Sequence, residues 1–344
     1  MSPRAETEVL VVGGGPIGLA SAIESRLAGF DTVVVEPREG VIDKACGEGL
    51  MPGALPAFQR LGVNLRGFPL HGIDYRDGRR SAQHRFIVGN ALGVRRTTLH
   101  RALRERAEEV GVRFVADRVD AIEQDASGVT AAGVHADWVL GADGLHSTVA
   151  RLTGLHKPTA TRRRRYGLRR HYALEPWSDL IEVHWTSLGE LYVTPTADGV
   201  VGVALLSRRG VRFDDALAAA PELAARVSGL DPATELRGAG PLRQSTRART
   251  SGRVLLVGDA SGYVDALTGE GIRIGVAQAR AAVGAVVAGD SRGYEKDWSR
   301  ITRDFRALTG SIARVATSPV RSWVVPIASG APGLFDGAVE RLAR

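Results

Sequence analysis

Val9-Leu10-Val11-Val12-Gly13-Gly14-Gly15-Pro16-Ile17-Gly18 joins four consecutive apolar residues to a glycine-rich turn, followed by a segment of helical periodicity over residues 17–28. The apolar run predicts a short buried parallel strand, and a second such run at residues 32–36 completes a βαβ unit. Gly13, Gly15 and Gly18 fit the spacing G-x-G-x-x-G. In that pattern the first glycine permits the tight turn, the second lets the backbone approach a pyrophosphate, and the third allows the helix to pack closely on the sheet. The helix start, entered through Pro16 and Ile17, offers free amides to negative phosphates. Glu36, at the end of the second strand, is placed to accept hydrogen bonds from both hydroxyls of an adenosine ribose, with Pro37 and Arg38 in the same turn. An acid there suits FAD or NAD and disfavours a 2′-phosphate.

With 344 residues, 44% hydrophobic and 24% charged, the chain is long enough for one large or two closely joined domains around a substantial core. A small stapled scaffold and a disordered chain are excluded. Its 42 glycines point to many tight βα turns. Cys46 stands alone and cannot form an intramolecular disulfide, and residues 1–8 lack a basic segment followed by an apolar run, so a cytoplasmic protein is expected. No apolar stretch approaches the roughly 18 residues of a membrane span, so no transmembrane segment is expected.

The net charge of +7 comes almost entirely from arginine. Its densest run, residues 162–165 with Arg169 and Arg170 close behind, is read first as a solvated strand edge and second as a phosphate or carboxylate contact. No zinc-finger, RNP-type or helix-turn-helix pattern accompanies it, so no nucleic-acid partner is expected. His71, His84, His171 and His184 share no metal-ligand spacing, so no metal is expected.

Residues 98–110 have helical periodicity stopped at Gly111, and short strands are expected at 112–116, 121–123, 129–134 and 138–141. Residues 181–185, 191–194 and 200–206 are alternating, aromatic-bearing segments that predict an antiparallel sheet. Residues 254–258 return to the buried strand type and lead into a helix over 271–287. The expected architecture is α/β: a discontinuous Rossmann-like domain of residues 1–160 and 245–290, an inserted antiparallel-sheet substrate domain of residues 161–244 with part of 50–95, and a helical C-terminal region, 291–344, broken at Pro319, Pro326 and Pro332.

Two later strand ends carry further motifs. Ala142-Asp143-Gly144 ends one strand, followed by Ser147 and Arg151. Gly258-Asp259-Ala260 ends another, with Leu267-Thr268-Gly269-Glu270-Gly271-Ile272 just before a helix. With the fingerprint in front of them, these motifs make the chain resemble, over about residues 8–290, the FAD-dependent oxidoreductases of the para-hydroxybenzoate hydroxylase type and their relatives, the geranylgeranyl reductases. The resemblance implies that Gly258 and Asp259 present a carboxylate to the ribityl chain of FAD and that the amides of Gly269, Glu270, Gly271 and Ile272 lie near the pyrophosphate and flavin ring. It further implies that Asp143 holds the pyrophosphate-side turn and that Arg96, at a helix start, contacts the phosphates. Lys44, Cys46 and Gly47 belong to the same implied site. The run Lys44-Ala45-Cys46-Gly47-Glu48-Gly49-Leu50 and the loop 267–272 look more like the reductases. Leu191-Tyr192-Val193-Thr194-Pro195 lacks the aromatic pair of the reductases' lipid-pocket motif and the Trp-x-Trp-x-Ile-Pro of flavin halogenases, which disfavours halogenation.

The resemblance implies an NAD(P)H-dependent monooxygenase that hydroxylates a small aromatic or polyketide-type molecule of secondary metabolism with O₂, through a flavin hydroperoxide. Reduction of prenyl or polyene double bonds is the alternative, and a non-catalytic FAD-binding redox sensor is a third. No recognisable flavin-attachment motif is present, so the FAD is expected to be non-covalent. Cys46, Tyr192 and His184 are the candidates for a part in catalysis, with Tyr172 and Trp185 as further candidates for the wall around the flavin. Monomer and homodimer are both compatible with the sequence.

Overall fold

The computed structural model describes residues 5–158, 164–197 and 199–343. Strand Ala5–Val12, helix Pro16–Leu27 and strand Thr32–Val35 form the expected βαβ unit, with Pro16 at the first helical position, where a missing N–H costs nothing. Five strands run parallel in the spatial order Val254–Leu256, Val134–Gly141, Ala5–Val12, Thr32–Val35, Arg113–Val115. Val9–Val12, Thr32–Val35 and Val254–Leu256 are buried throughout because both faces of the sheet are covered there, whereas the edge strand Arg113–Val115 is partly exposed. On one face, helices Pro16–Leu27, Arg96–Glu109 and Gly271–Val287 enclose a core of Leu19, Ile23, Leu103, Leu140 and Val276. Helix Gly271–Val287 comes so close to the first helix that a Cβ at Gly275 would lie 2.5 Å from Ile17.

The second sheet has seven strands, in the order Arg237–Ala239, Arg165–Ala173, Val200–Arg208, Gly189–Thr196, Leu180–Trp185, Gly72–Arg76, Ser81–Arg85. All neighbours are antiparallel except Leu180–Trp185 with Gly72–Arg76. Helices Phe213–Ala218 and Pro221–Val227 cover one of its faces through Phe213 and Leu223, packed against Leu191, Val193 and Val203. The other face looks toward the carboxyl ends of the parallel strands.

Several expectations need correction. Residues 129–134 are not one strand: Ala132 and Gly133, both at positive φ, make a tight turn between Val129–Ala131 and Val134–Gly141. Pro326 breaks nothing, since it falls in the first turn of helix Val324–Gly330, where no intrahelical donor is lost. Of the arginine run, Arg162 and Arg163 lie outside the described residues, but Arg165 is no solvated edge. It is buried between Glu190 and Asp265, the latter at 3.1 Å. Arg169 is buried as well, against Asp43 and His171, whereas Arg170 reaches out to Asp214.

Candidate functional site

The ends of the parallel strands and the inner face of the antiparallel sheet enclose a cavity of about 350 Å³. Its position, beyond the carboxyl ends of parallel strands, is where open α/β sheets receive ligands. The fingerprint loop forms one end. A Cβ at Gly13, where φ is +105°, would lie 2.7 Å from the Ala142 carbonyl, and one at Gly18 would lie 1.7 Å from the Gly13 carbonyl. Gly15 differs, because a Cβ there would meet nothing within 4 Å. Two of the three glycines therefore serve close packing, and the middle one leaves the cavity side of the loop bare.

Glu36 closes this end. Its Oε2 accepts from the Gly14 amide at 2.9 Å, and its Oε1 accepts from Arg38 Nε at 2.8 Å. Burial opposes ionisation of Glu36, but the Arg38 and Gly14 hydrogen bonds outweigh it and hold the carboxyl below its ordinary range. A carboxyl lowered in the folded state stabilises the fold above its unfolded value of about 4.5, and that contribution is lost as the pH falls through the lowered folded value. Glu36→Gln is therefore expected to flatten the acid limb of apoprotein stability, measured by urea unfolding at neutral pH and below 4.5; an unchanged limb contradicts it.

His100, which no sequence spacing singled out, fixes the loop from behind. Its Nε2 donates to the Gly14 carbonyl at 2.9 Å while Nδ1 accepts from the Ile42 amide at 3.5 Å, and burial lowers its pKa. The available signal was its position four residues after Arg96 on one helix face.

The middle of the cavity is polar. Asp143 Oδ2 accepts from the amides of Thr148 and Val149 at 2.6 and 3.1 Å, capping helix Thr148–Leu152, while its Oδ1 is buried without a partner among the described residues. Asp259 lines the wall, and its carboxylate accepts no hydrogen bond from the described residues; burial raises it, and Lys44 and Arg96 pull it back. Neither Lys44 nor Arg96 has a carboxylate partner within 4 Å among the described residues, and Arg96 Nε is buried and unbonded. Gly269, Gly271 and Ile272 bring the start of helix Gly271–Val287 to the same wall. Unpaired cations, a helix N-terminus, a bare glycine and two acceptors without donors suit an anionic, hydroxyl-bearing dinucleotide such as FAD.

Glu48 organises the loop beside them. It adopts a φ of 60°, rare for a residue with a side chain, and is buried. Its Oε1 accepts from the Arg96 amide at 2.9 Å, and its Oε2 meets His171 Nε2 at 2.6 Å. Thr194 donates to the Gly47 carbonyl at 2.7 Å. The loop is thus tied to the Arg96 helix and to the antiparallel sheet together.

The residues singled out from sequence divide clearly. Gly13, Gly15, Pro16, Ile17, Glu36, Arg38, Lys44, Cys46, Gly47, Arg96, Asp143, Asp259, Gly269, Gly271, Ile272 and Tyr192 all line the one cavity. Gly18, Pro37, Gly258 and Glu270 do not; Glu270 is buried on Arg273 at 2.6 Å and Pro37 is exposed. His184 must be dropped. Residues alternate across strand Leu180–Trp185, so Ile181 and Val183 face the cavity while His184 turns away onto Glu182 at 3.0 Å. Tyr172 packs into the core on that far face, and Trp185 packs behind the wall on Tyr75.

The sequence matches the FAD binding domain family over residues 6–213. The chain belongs to that family. This flavoprotein is 29% identical to a menaquinone reductase of Mycolicibacterium smegmatis, over 91% of this chain and 84% of that protein. Among solved structures, a geranylgeranyl bacteriochlorophyll reductase-like protein of Thermoplasma acidophilum superposes with a TM-score of 0.80, at 20% identity over 98% of this chain and 96% of the other. The p-nitrophenol 4-monooxygenase of Pseudomonas putida gives 0.79, at 19% identity over 98% and 95%. At such identities the two structures establish the fold. The flavoprotein is an FAD-dependent oxidoreductase. No helix among its described residues is long and apolar enough to cross a membrane.

Proposed function

We propose that this flavoprotein is an NAD(P)H- and O₂-dependent monooxygenase that hydroxylates an apolar, uncharged aromatic or polyketide-type molecule. The supporting observation is the division of charge in the cavity. Every charged residue lining it (Glu36, Arg38, Lys44, Glu48, Arg96, Asp143, Asp259) belongs to the fingerprint, loop, helix-start or strand-end segments assigned to FAD. The sheet contributes Ile73, Ile181, Val183 and Leu206 with Tyr75, Tyr192 and Thr194, and Met51 and Leu242 line the cavity beside it, so this side carries no charge. An anionic substrate would find no cation there, and burying its charge unpaired is costly.

Non-covalent FAD, held by Gly15, Glu36, Lys44, Arg96, Asp143, Asp259 and the amides at Gly269–Ile272, supplies electron transfer and oxygen activation when bound. The chain's own part is to orient the substrate and exclude water. Tyr192 donates to the Leu267 carbonyl at 3.0 Å, and burial keeps its phenol well above its ordinary pKa, so it tethers the sheet to the loop before helix Gly271–Val287 as a neutral group. We divide the chain accordingly into an FAD domain of 1–160 and 245–290, a substrate domain of 161–244 with part of 50–95, and a C-terminal region of 291–344. The deciding experiment is turnover under isotopically labelled O₂, in which one labelled oxygen atom should enter the product. Product formed without O₂ overturns the reading, and absence of any NAD(P)H oxidation returns the chain to an FAD-binding sensor.

One observation favours a second reading, reduction of a prenyl or polyene double bond: the Cys46 thiol lines the same cavity and accepts from the Glu48 amide at 3.4 Å. Cys46→Ser separates the two. Oxygen transfer needs no protein thiol and should persist at near wild-type rate, whereas a reductase that uses the thiol should lose product.

A further inference from the structure

We propose that Tyr75 determines which molecules this cavity accepts: its hydroxyl donates to an uncharged oxygen, that of a carbonyl or a phenol, on an otherwise apolar substrate. The inference deepens the function proposed above and rests on its assignment of the sheet side to the substrate. Three side chains of the sheet bring a hydroxyl to that side, Tyr75, Tyr192 and Thr194. Two of these protons are spent within the chain, Tyr192 on the Leu267 carbonyl at 3.0 Å and Thr194 on the Gly47 carbonyl at 2.7 Å. The Tyr75 hydroxyl has no hydrogen-bond partner among the described residues, and burial alone pushes its phenol up to about 12, so it stands in the wall as a neutral donor. A tyrosine enclosed this deeply ordinarily finds an acceptor, as Tyr294 does in the Leu256 carbonyl at 2.8 Å. Among Ile73, Ile181, Val183 and Leu206, the acceptor for Tyr75 is left to the ligand.

The strand and two neighbouring rings fix where this hydroxyl stands. Residues alternate along strand Gly72–Arg76, so Ile73 and Tyr75 face the cavity while Asp74 and Arg76 pair on the far face at 2.7 Å. The Tyr75 ring is flanked by Trp185, with centroids 5.5 Å apart, and by Phe335 of the last helix at 5.1 Å. A ring held between a strand and a helix offers its proton from one place, and the ligand must bring its oxygen there. Tyr263 also lines the cavity but belongs to the cofactor side: a Cβ at Gly271 would lie 3.4 Å from its ring, beside the amides assigned to FAD. A purely apolar ligand would bury the Tyr75 hydroxyl unpaired, and an anionic one would find no cation on this side. An uncharged acceptor satisfies both conditions.

The test is binding of three probes of similar size, naphthalene, 1-naphthol and 1-tetralone, to the oxidised FAD-loaded protein without NAD(P)H, followed by the change in flavin absorbance. An apolar wall alone favours naphthalene, the least polar of the three. Wild type should instead bind the oxygen-bearing probes about fivefold more tightly, the worth of one neutral hydrogen bond. In Tyr75→Phe the preference should shrink to within about twofold or reverse, with naphthalene affinity and flavin content as in wild type. A preference confined to 1-tetralone marks a carbonyl as the acceptor and one confined to 1-naphthol a phenol, and either supports the proposal. Wild type that binds neither oxygen-bearing probe better than naphthalene overturns it, and so does a Tyr75→Phe protein that keeps the preference. Equal weakening of all three probes in Tyr75→Phe also overturns it, because a ring that only supports the wall would act in that way. The measurement involves no turnover, so its failure leaves the assigned oxygen transfer standing, and product formed without O₂ leaves the Tyr75 contact standing.

Discussion

Asp259→Ala should release FAD. The carboxylate lines the cavity without a donor among the described residues, and a ribityl hydroxyl would supply one. A charge-assisted bond of that kind is worth about 1.5–3 kcal/mol, so the dissociation constant should rise roughly 10- to 150-fold. Asp259→Asn, which keeps an acceptor and loses the charge, should fall between. The apoprotein should behave in the opposite way. Burial raises the Asp259 carboxyl, so the folded state holds that proton more tightly than the unfolded chain does. Above the raised value its ionised form costs folding free energy, and the cost is relieved as the pH falls toward the unfolded value. Substitution should therefore leave apoprotein stability at neutral pH equal or higher while FAD affinity drops. Equal flavin retention by wild type and Asp259→Ala, measured by equilibrium dialysis, would remove Asp259 from the site.

That opposition explains why the nucleotide end of the site was legible. The fingerprint glycines, Glu36 and Asp259 perform tasks that only a few residue types can do, at strand ends whose apolar runs are themselves recognisable. Gly13 and Gly18 have no room for a Cβ, a constraint that is local and shows in the spacing. The substrate side has no such constraint. Strand Leu180–Trp185 is buried at every position, because the cavity and its surrounding core cover one face and polar and helical packing cover the other. Without polar and apolar alternation, nothing in the sequence tells which of His184 and Val183 faces inward, and one step of register separates the right answer from the wrong one. Glu48 was similarly hidden: its partners Arg96 and His171 come from distant segments, and the only local sign of an unusual backbone was a glycine on each side.

Arg165 shows the same limit in energetic form and leads to the second large effect. In sequence it ends a run of arginines and looks solvated, but its side chain lies between Glu190 and Asp265, contributed by strand Gly189–Thr196 and by the loop before Gly269. Asp265 Oδ1 also accepts from the Leu267 amide at 3.1 Å, so the arginine secures the segment that Tyr192 tethers. Arg165→Met removes the cation and leaves Asp265 buried without its counter-charge, whereas Glu190 keeps Arg321 at 3.0 Å. Breaking a buried pair in this way costs about 3–5 kcal/mol, well above the loss expected at an exposed arginine. Adding Asp265→Asn should recover much of it, because no uncompensated charge then remains. The pH dependence follows from Asp265, whose carboxyl burial already raises and Arg165 lowers. Without the arginine its folded value rises further, so the deficit should be largest at neutral pH and shrink as protonation neutralises the carboxyl on the way down to its unfolded range. Urea unfolding of wild type, Arg165→Met and the double variant at two pH values measures all three terms, and a single variant within about 1 kcal/mol of wild type at neutral pH would show that this arginine is as dispensable as its sequence neighbours suggested.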